Sequence, residues 1–388
     1  MTNILNIIIQ ILFTSFSMFW EVLWPLIFGF ILSAVVQAFV SHKTLANTLG
    51  DDSPKSLTLA TLFGIASSSC SYAAVALSRS LFQKGASFTS SMVFELASTN
   101  LVIELGIILI VLLGWQFMTA EFIGGIIMVI LLAIIFHFTL TSRRIALAQR
   151  QAAKGLSGRM EGHAAMEMGV EISNFQFSIS NINKILNSVA NYFVMEVAAI
   201  GIDIVIGFLI AGTLAVLVPH SFWQAFFLSG NPTLAKIEGP LVGPLVAIFS
   251  FVCSIGNVPL AAVLWQGGIS FGGVVSFIFA DLIILPILNI YRKYYGLKVA
   301  AYIFITFYIV MALAGYIVEF LFSILNITPT NRHIVVINQG MQWNYTTWLN
   351  IVFLFFAIIL VYKFIKNGGL PMLSMMEKVE EGKSCCQR

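Results

Sequence analysis

With 388 residues, 59% of them hydrophobic and 10% charged, the chain departs from a soluble globular protein, where about a quarter of residues carry charge. That composition excludes an ordinary soluble enzyme or binding module, and the formal net charge of +3 carries meaning only through where the positive charges lie. The four cysteines exclude a secreted disulfide framework: Cys70 and Cys253 stand in apolar segments, and Cys385 and Cys386 are adjacent in the tail. The first Lys or Arg is Lys43, so a cleaved signal peptide is not expected.

Residues 3–21 place Asn3, Asn6, Gln10, Thr14, Ser17 and Glu21 at spacings of three and four among Ile, Leu and Phe. This is a polar stripe on one helical face, suited to lying along a membrane surface or to lining a cavity. Residues 20–40 form a spanning helix with Pro25 near its start, and Asp51-Asp52-Ser53-Pro54 is a turn. A segment rich in Ser follows at 57–81, of a length for one tilted span or a re-entrant hairpin. Helices are expected at 87–113, carrying Glu95, Asn100 and Glu104, and at 122–140, ending at Arg143-Arg144. Residues 141–190 read as a polar loop with some helix. Further helices are expected at 192–218, 270–290, 299–323 and 347–362, with a second broken segment at 240–264 and a polar loop at 324–346.

The two broken segments are copies. A shift of 183 positions places Ser67 on Ser250, Cys70 on Cys253, Ser71 on Ser254, Gln83 on Gln266, Gly85 on Gly268 and Ser87-Phe88 on Ser270-Phe271. Matched Cys-Ser and Gln-x-Gly-x-Ser-Phe pairs mark a duplicated unit, and duplicated apolar units with polar breaks point to a secondary transporter. If both broken segments are hairpins that return to the side they entered, 18 of the 20 Lys and Arg fall on one side, leaving Lys236 and Arg332 on the other. The expected fold is therefore all-α and integral to the membrane. It has two inverted repeats, each of three spans plus a re-entrant hairpin, with an extra C-terminal helix. The divisions are 1–140 (first repeat with an N-terminal amphipathic helix), 141–190 (cytoplasmic loop), 191–323 (second repeat) and 324–388 (outer loop, last helix and cytoplasmic tail).

Cys70 and Cys253 are equivalent under the repeat and suit a thiophilic substrate, while an isolated membrane cysteine otherwise serves as a small packing residue. Ser69, Ser71, Ser254 and Asn257, with Asn100, offer hydroxyl and amide groups for a substrate, and Ser254-Ile-Gly-Asn-Val-Pro259 reads as a helix break that exposes backbone. Small and hydroxyl residues also serve plain helix packing. Glu95 in the first unit and Asp281 in the corresponding helix of the second are candidate coupling groups, with Asp203. Glu21 and Glu104 suit structural pairing equally well. The tract Met160-Glu-Gly-His-Ala-Ala-Met-Glu-Met and the pair Cys385-Cys386 could capture a soft metal, but a plain helix and an inert tail account for them as well. No phosphate-binding loop of the Gly-x-x-x-x-Gly-Lys-Ser/Thr kind is present, so coupling to ATP is not expected.

At Cys70-Ser-Tyr, Lys84-Gly-Ala-Ser, Cys253-Ser-Ile-Gly-Asn-Val-Pro-Leu-Ala and Trp24-Pro-Leu-Ile-Phe-Gly, the chain resembles the ArsP-type permease family of bacteria and archaea. The resemblance spans residues 20–296. It implies a multi-pass permease of the plasma (inner) membrane, some members of the family exporting trivalent organoarsenicals. Tyr72 stands where the family has a second cysteine, and Ala97-Ser-Thr-Asn100 replaces its Ala-Thr-Pro.

The expected activity is secondary export of a small thiophilic or oxyanionic solute; the alternative is a membrane thiol oxidoreductase using Cys70 and Cys253. No cofactor, resident metal or nucleic-acid partner is expected. The expected partners are a small-molecule or metalloid substrate and the lipid bilayer, with a homo-oligomer left open.

Overall fold

The computed structural model describes residues 2–39, 49–67, 71–152, 179–219, 227, 231–249, 254–332, 343 and 345–371. All regular structure among them is helical. Among the described residues five helices are long and apolar enough to cross a membrane, and a sixth span arises if the bent pair 271–283 and 285–295 is one crossing.

The first half comprises α1 (Thr2–Phe39), α2 (Pro54–Ser67), α3 (Ser71–Gln83), α4 (Phe88–Asn100), α5 (Ile103–Leu112) and α6 (Trp115–Thr139), followed by the short α7 (Ser142–Ala152). The second comprises α8 (Ile179–Leu217), α9 (Pro232–Ile248), α10 (Ser254–Gly267) and α11 (Phe271–Phe279). A 3-10 helix (Ala280–Ile283), α12 (Leu285–Tyr295) and α13 (Leu297–Ile324) complete it, and α14 (Tyr345–Lys366) follows as an added helix.

The 183-residue period in the sequence is a period in the fold. α4 and α11 begin 183 residues apart, at Phe88 and Phe271, and Ser71 of α3 meets Ser254 of α10 at the same offset. The Gln-x-Gly-x-Ser-Phe match is a turn chemistry used twice. Gly85 and Gly268 take φ of +112° and +110°, where a side chain is strained. The Ser87 and Ser270 hydroxyls then cap the next helices by accepting from the Ser90 and Gly273 backbone N–H groups.

α2 and α3 form a helical hairpin whose two ends lie together: the Ser87 N–H donates to the Leu49 carbonyl at 2.7 Å, and the Ser90 hydroxyl to the Asp51 carbonyl at 2.9 Å. The exposed turn before α2 is fixed by Asp51, whose carboxylate accepts from Ser53; these bonds hold it below its ordinary pKa. Down the hairpin α2 runs parallel to α4. A Cβ on Gly64 would stand 2.6 Å from the Phe94 carbonyl oxygen and 2.8 Å from Ala97 Cβ. α3 returns antiparallel to α4, with Ser78 donating to the Ser91 carbonyl at 2.9 Å and Phe82 against Phe88 at 5.3 Å. In the second half α9 packs along α11 in the same sense, Gly239 against Ser270 and Gly243 against Gly273.

The spans α4–α5 and α11–α12 run in opposite directions. At one end of the bundle Phe82, Phe88 and Tyr295 meet, with Phe136 stacked on Tyr302. At the other end Phe117 meets Trp265 and Phe271, and Phe271 meets Phe322. The first end holds Arg79, Arg144 and Lys293. Arg79 lies over Tyr294, Arg144 lies over Tyr302, and the Lys293 carbonyl accepts from Gln151 of α7.

Several expected boundaries change. The polar stripe and the following span are one continuous helix, α1, which packs antiparallel to α8 through Phe19–Phe208 and Phe30–Phe193. Thr14, Ser17 and Glu21 of the stripe are buried in that contact region, and the hydroxyl of Ser17 is satisfied by the Phe13 carbonyl. The helices expected at 87–113 and 270–290 are each broken, at Leu101–Val102 and at 280–284, although both read as unbroken apolar runs. The break expected across Ser254–Pro259 is not realised, because α10 starts at Ser254 and carries Pro259 within it. A proline this near a helix start removes a single hydrogen bond, the one its missing N–H would give to the Ile255 carbonyl. Residues 179–190, expected in the loop, are the first turns of α8. α14 docks on α1: the Asn350 side chain accepts from the Trp24 N–H at 2.8 Å and donates to the Trp20 carbonyl at 2.6 Å, just before Pro25.

Candidate functional site where the two hairpins meet

α3 and α10 bring their first residues together deep in the bundle. The Ser71 and Ser254 hydroxyl oxygens are 3.1 Å apart, and both donate to the same oxygen of Asp281, Oδ2, at 2.6 Å. Ser71 and Asp281 are fully buried, and Ser254 nearly so. Each serine has one proton, and each spends it on Asp281. Charge-assisted bonds of this length are stronger than neutral ones. The arrangement lets one carboxylate hold both hairpins at once.

Asp281 sits on the 3-10 helix that interrupts the span α11–α12. A side chain there is presented by a tightened turn and not by a regular helical face. Asn100, at the last turn of α4, acts on the Asp281 carboxylate from the opposite repeat. Its Nδ2 also donates to Thr99 Oγ1 at 2.9 Å and to the Leu96 carbonyl at 3.2 Å. Asn257 is fully buried on α10, close to one turn after Ser254.

Glu95 is buried on α4, where the Tyr291 hydroxyl of α12 donates to its Oε1. The two helices come from different halves, so this bond, like the serine pair, joins the repeats. Glu95 and Asp281 are near enough for their charges to act on one another. They are not equivalent under the repeat: 183 positions before Asp281 lies Ser98, and Glu95 corresponds to Ile278. Glu104 lies in the first turn of α5, packed onto Gly29 of α1.

Two residues outside the expected set belong to this region. Tyr291 is the partner of Glu95, and nothing in an Asn-Ile-Tyr-Arg run near a helix end distinguishes it. Glu121 is buried on α6, and neither of its oxygens has a hydrogen-bond partner among the described residues. The signal for Glu121 was present in the sequence, since it is an acidic residue inside the apolar run of 115–139; starting that helix at 122 left it at the edge.

Ser69, Cys70 and Cys253 lie outside the described residues, as do the Met160–Met168 tract and Cys385-Cys386; Asp203 is on α8, its side chain not described. Among the described residues no three His, Cys, Asp or Glu side chains converge to hold a metal ion.

The predicted-permease family ArsP_1 matches residues 7–320. The chain belongs to that family. It is also 56% identical to the protein named "Putative permease Rv2963" of Mycobacterium tuberculosis (strain ATCC 25618 / H37Rv), over 337 residues that cover 87% of this chain and 83% of the relative. No solved structure matches. The matched range covers both hairpins and every residue of the junction, and ends within α13, so the site described above is part of the permease unit. Membership makes this chain a multi-pass membrane protein of the transporter kind.

Proposed function

We propose that the chain is a secondary-active permease of the plasma membrane, exporting a small thiophilic or oxyanionic solute such as a trivalent organoarsenical by alternating access between two inverted repeats. The observation that carries this reading is the junction of Ser71, Ser254 and Asp281, where two serines equivalent under the 183-residue shift meet on one buried carboxylate. Broken helices ending at membrane depth, with polar groups turned to a common centre, are how such folds bind solutes. The opposite directions of α4–α5 and α11–α12 support the inverted relation of the halves. The thiophilic part rests on the chain itself: each of the two bonded serines directly follows a cysteine, Cys70 and Cys253. The end of the bundle that carries Arg79, Arg144 and Lys293 is the cytoplasmic one by the positive-inside rule. In this reading Glu95, Asp281 and Asp203 couple transport to an ion gradient.

The thiol oxidoreductase alternative draws no support from membership in a permease family. A deletion strain challenged with arsenicals, antimonials and heavy-metal salts tests the proposal. Sensitivity to trivalent arsenicals that the intact chain reverses is the expected result; equal growth with and without the chain on every thiophile refutes the substrate class.

A further inference from the structure

Glu121 is the buried acid that the junction does not use. It lies on α6, 1% exposed, and no donor among the described residues reaches Oε1 or Oε2. α6 packs against α4, α5, α11 and α13. The titratable groups on and beside those helices are Glu95, Glu104, Asp281, Glu319, the tyrosines of α13, and His137 and Lys298 toward the basic end. Of these, Asp281 is the one whose charge acts on Glu121. The acceptors around Asp281 are also in excess. Asp281 Oδ1 and Asn100 Oδ1, both on fully buried residues, have no donor among the described residues.

An ionised carboxylate held without a donor at membrane depth is strongly disfavoured, so the group must gain a cation or a proton. Asp281 differs from Glu121 in this respect, because two hydroxyls are already committed to it. Among the described residues no three acidic, His or Cys side chains close around a metal ion, and a proton is the cation that a carboxylate can take without further ligands.

We propose that Glu121 is a proton-binding residue of the permease, holding an exchangeable proton within the field of Asp281. The inference deepens the permease reading and rests on it for the purpose the proton serves. Binding itself is independent of substrate. The proton enters when Glu121 is exposed to one side, and it leaves as the junction rearranges around Asp281.

The test uses the full chain in lipid vesicles treated with dicyclohexylcarbodiimide. This membrane-soluble reagent adds to a protonated carboxyl in an apolar setting, and the adduct is read by peptide mass spectrometry. The expected result is an adduct on Glu121 whose yield falls as pH rises, and its absence from that peptide in Glu121→Gln. In Asp281→Asn the loss of a nearby negative charge lets Glu121 release its proton more easily, so the midpoint of labelling moves down by about one pH unit or more. No adduct on Glu121 at any pH, or a yield indifferent to pH, overturns the proposal. Protection by sodium at constant pH overturns the identity of the ion. Because labelling needs no solute, failure here leaves export testable. Failure of export on every thiophile leaves the labelling result standing.

Discussion

Ser71 and Ser254 stand 183 residues apart in the chain and 3.1 Å apart in space. The period of the duplication is therefore also a contact. Asp281 breaks that symmetry, since its counterpart is Ser98. One half supplies the charge, and both halves supply a donor.

That sharing makes the trio testable as a unit. Each hydroxyl-to-carboxylate bond contributes about 1.5–3 kcal/mol if the carboxylate is charged. Ser71→Ala and Ser254→Ala leave one hydroxyl donor on Asp281, and the double variant leaves neither hydroxyl. A double-mutant cycle read by thermal unfolding in detergent should give a coupling of about 0.5–3 kcal/mol. Effects that simply add would show that the two serines do not act on a common charge.

The turns between hairpin and span yield a second expectation. A Cβ on Gly85 would meet nothing within 4 Å, so its substitution tests backbone strain alone at a φ of +112°. Gly85→Ala should cost about 1–3 kcal/mol, and Gly268→Ala a similar amount. Melting temperatures would report both, and an unchanged value would mean that the turn relaxes to another geometry.

This pair of turns also explains what was legible in the sequence. The Gln-x-Gly-x-Ser-Phe repeat was visible because a positive-φ glycine and a capping serine have few substitutes, and they recur as structure in both halves. The Cys-Ser repeat was visible for another reason, since its serines meet at the junction. Tyr291 and the breaks at Leu101–Val102 and 280–284 left no such trace. Their geometry depends on packing between the halves, and a tyrosine or an apolar run reads the same whether or not it meets a partner. Pro259 misled in the opposite direction, because local chemistry suggested a break where the chain is helical from Ser254 to Gly267 with the proline inside it.

Each end of the bundle is tied by a cation on a hairpin helix or beside it. At the basic end Arg79 donates to the Ala152 carbonyl of α7 at 2.9 Å, and Gln83 donates to the same oxygen. At the other end Arg332 donates to the Trp265 and Ile269 carbonyls at 3.0 and 3.1 Å and lies 4.2 Å from the Trp265 ring centroid. Burial pushes the Arg332 pKa below its usual value, while Glu319 acts in the opposite direction. Arg332→Ala removes two carbonyl bonds and a cation–π contact that tie the loop after α13 to the end of α10. The melting temperature should fall by the equivalent of about 1–3 kcal/mol, and an unchanged value would mean that the loop holds without these contacts.

The last expectation concerns Glu95 and Tyr291. Their bond joins α4 of one half to α12 of the other, and both side chains are fully buried. If protons drive transport, a carboxylate at this depth must gain and lose a proton as the halves move, and the phenol must release and regain its acceptor in step. Glu95→Gln keeps the shape and most of the packing but cannot change charge. In vesicles it should abolish transport driven by a pH gradient, while exchange of solute down its own gradient survives, because Ser71, Ser254 and Asp281 are untouched. Tyr291→Phe removes only the donor, so gradient-driven transport should continue at a rate reduced about tenfold, the effect of roughly 1.4 kcal/mol. Asp281→Asn differs from both: it removes the negative charge that both serine hydroxyls serve and puts an amide donor in place of one carboxylate oxygen, so gradient-driven transport and exchange should fail together. Gradient-driven transport at full rate in Glu95→Gln would return this carboxylate to a structural role, pairing two helices and carrying no proton.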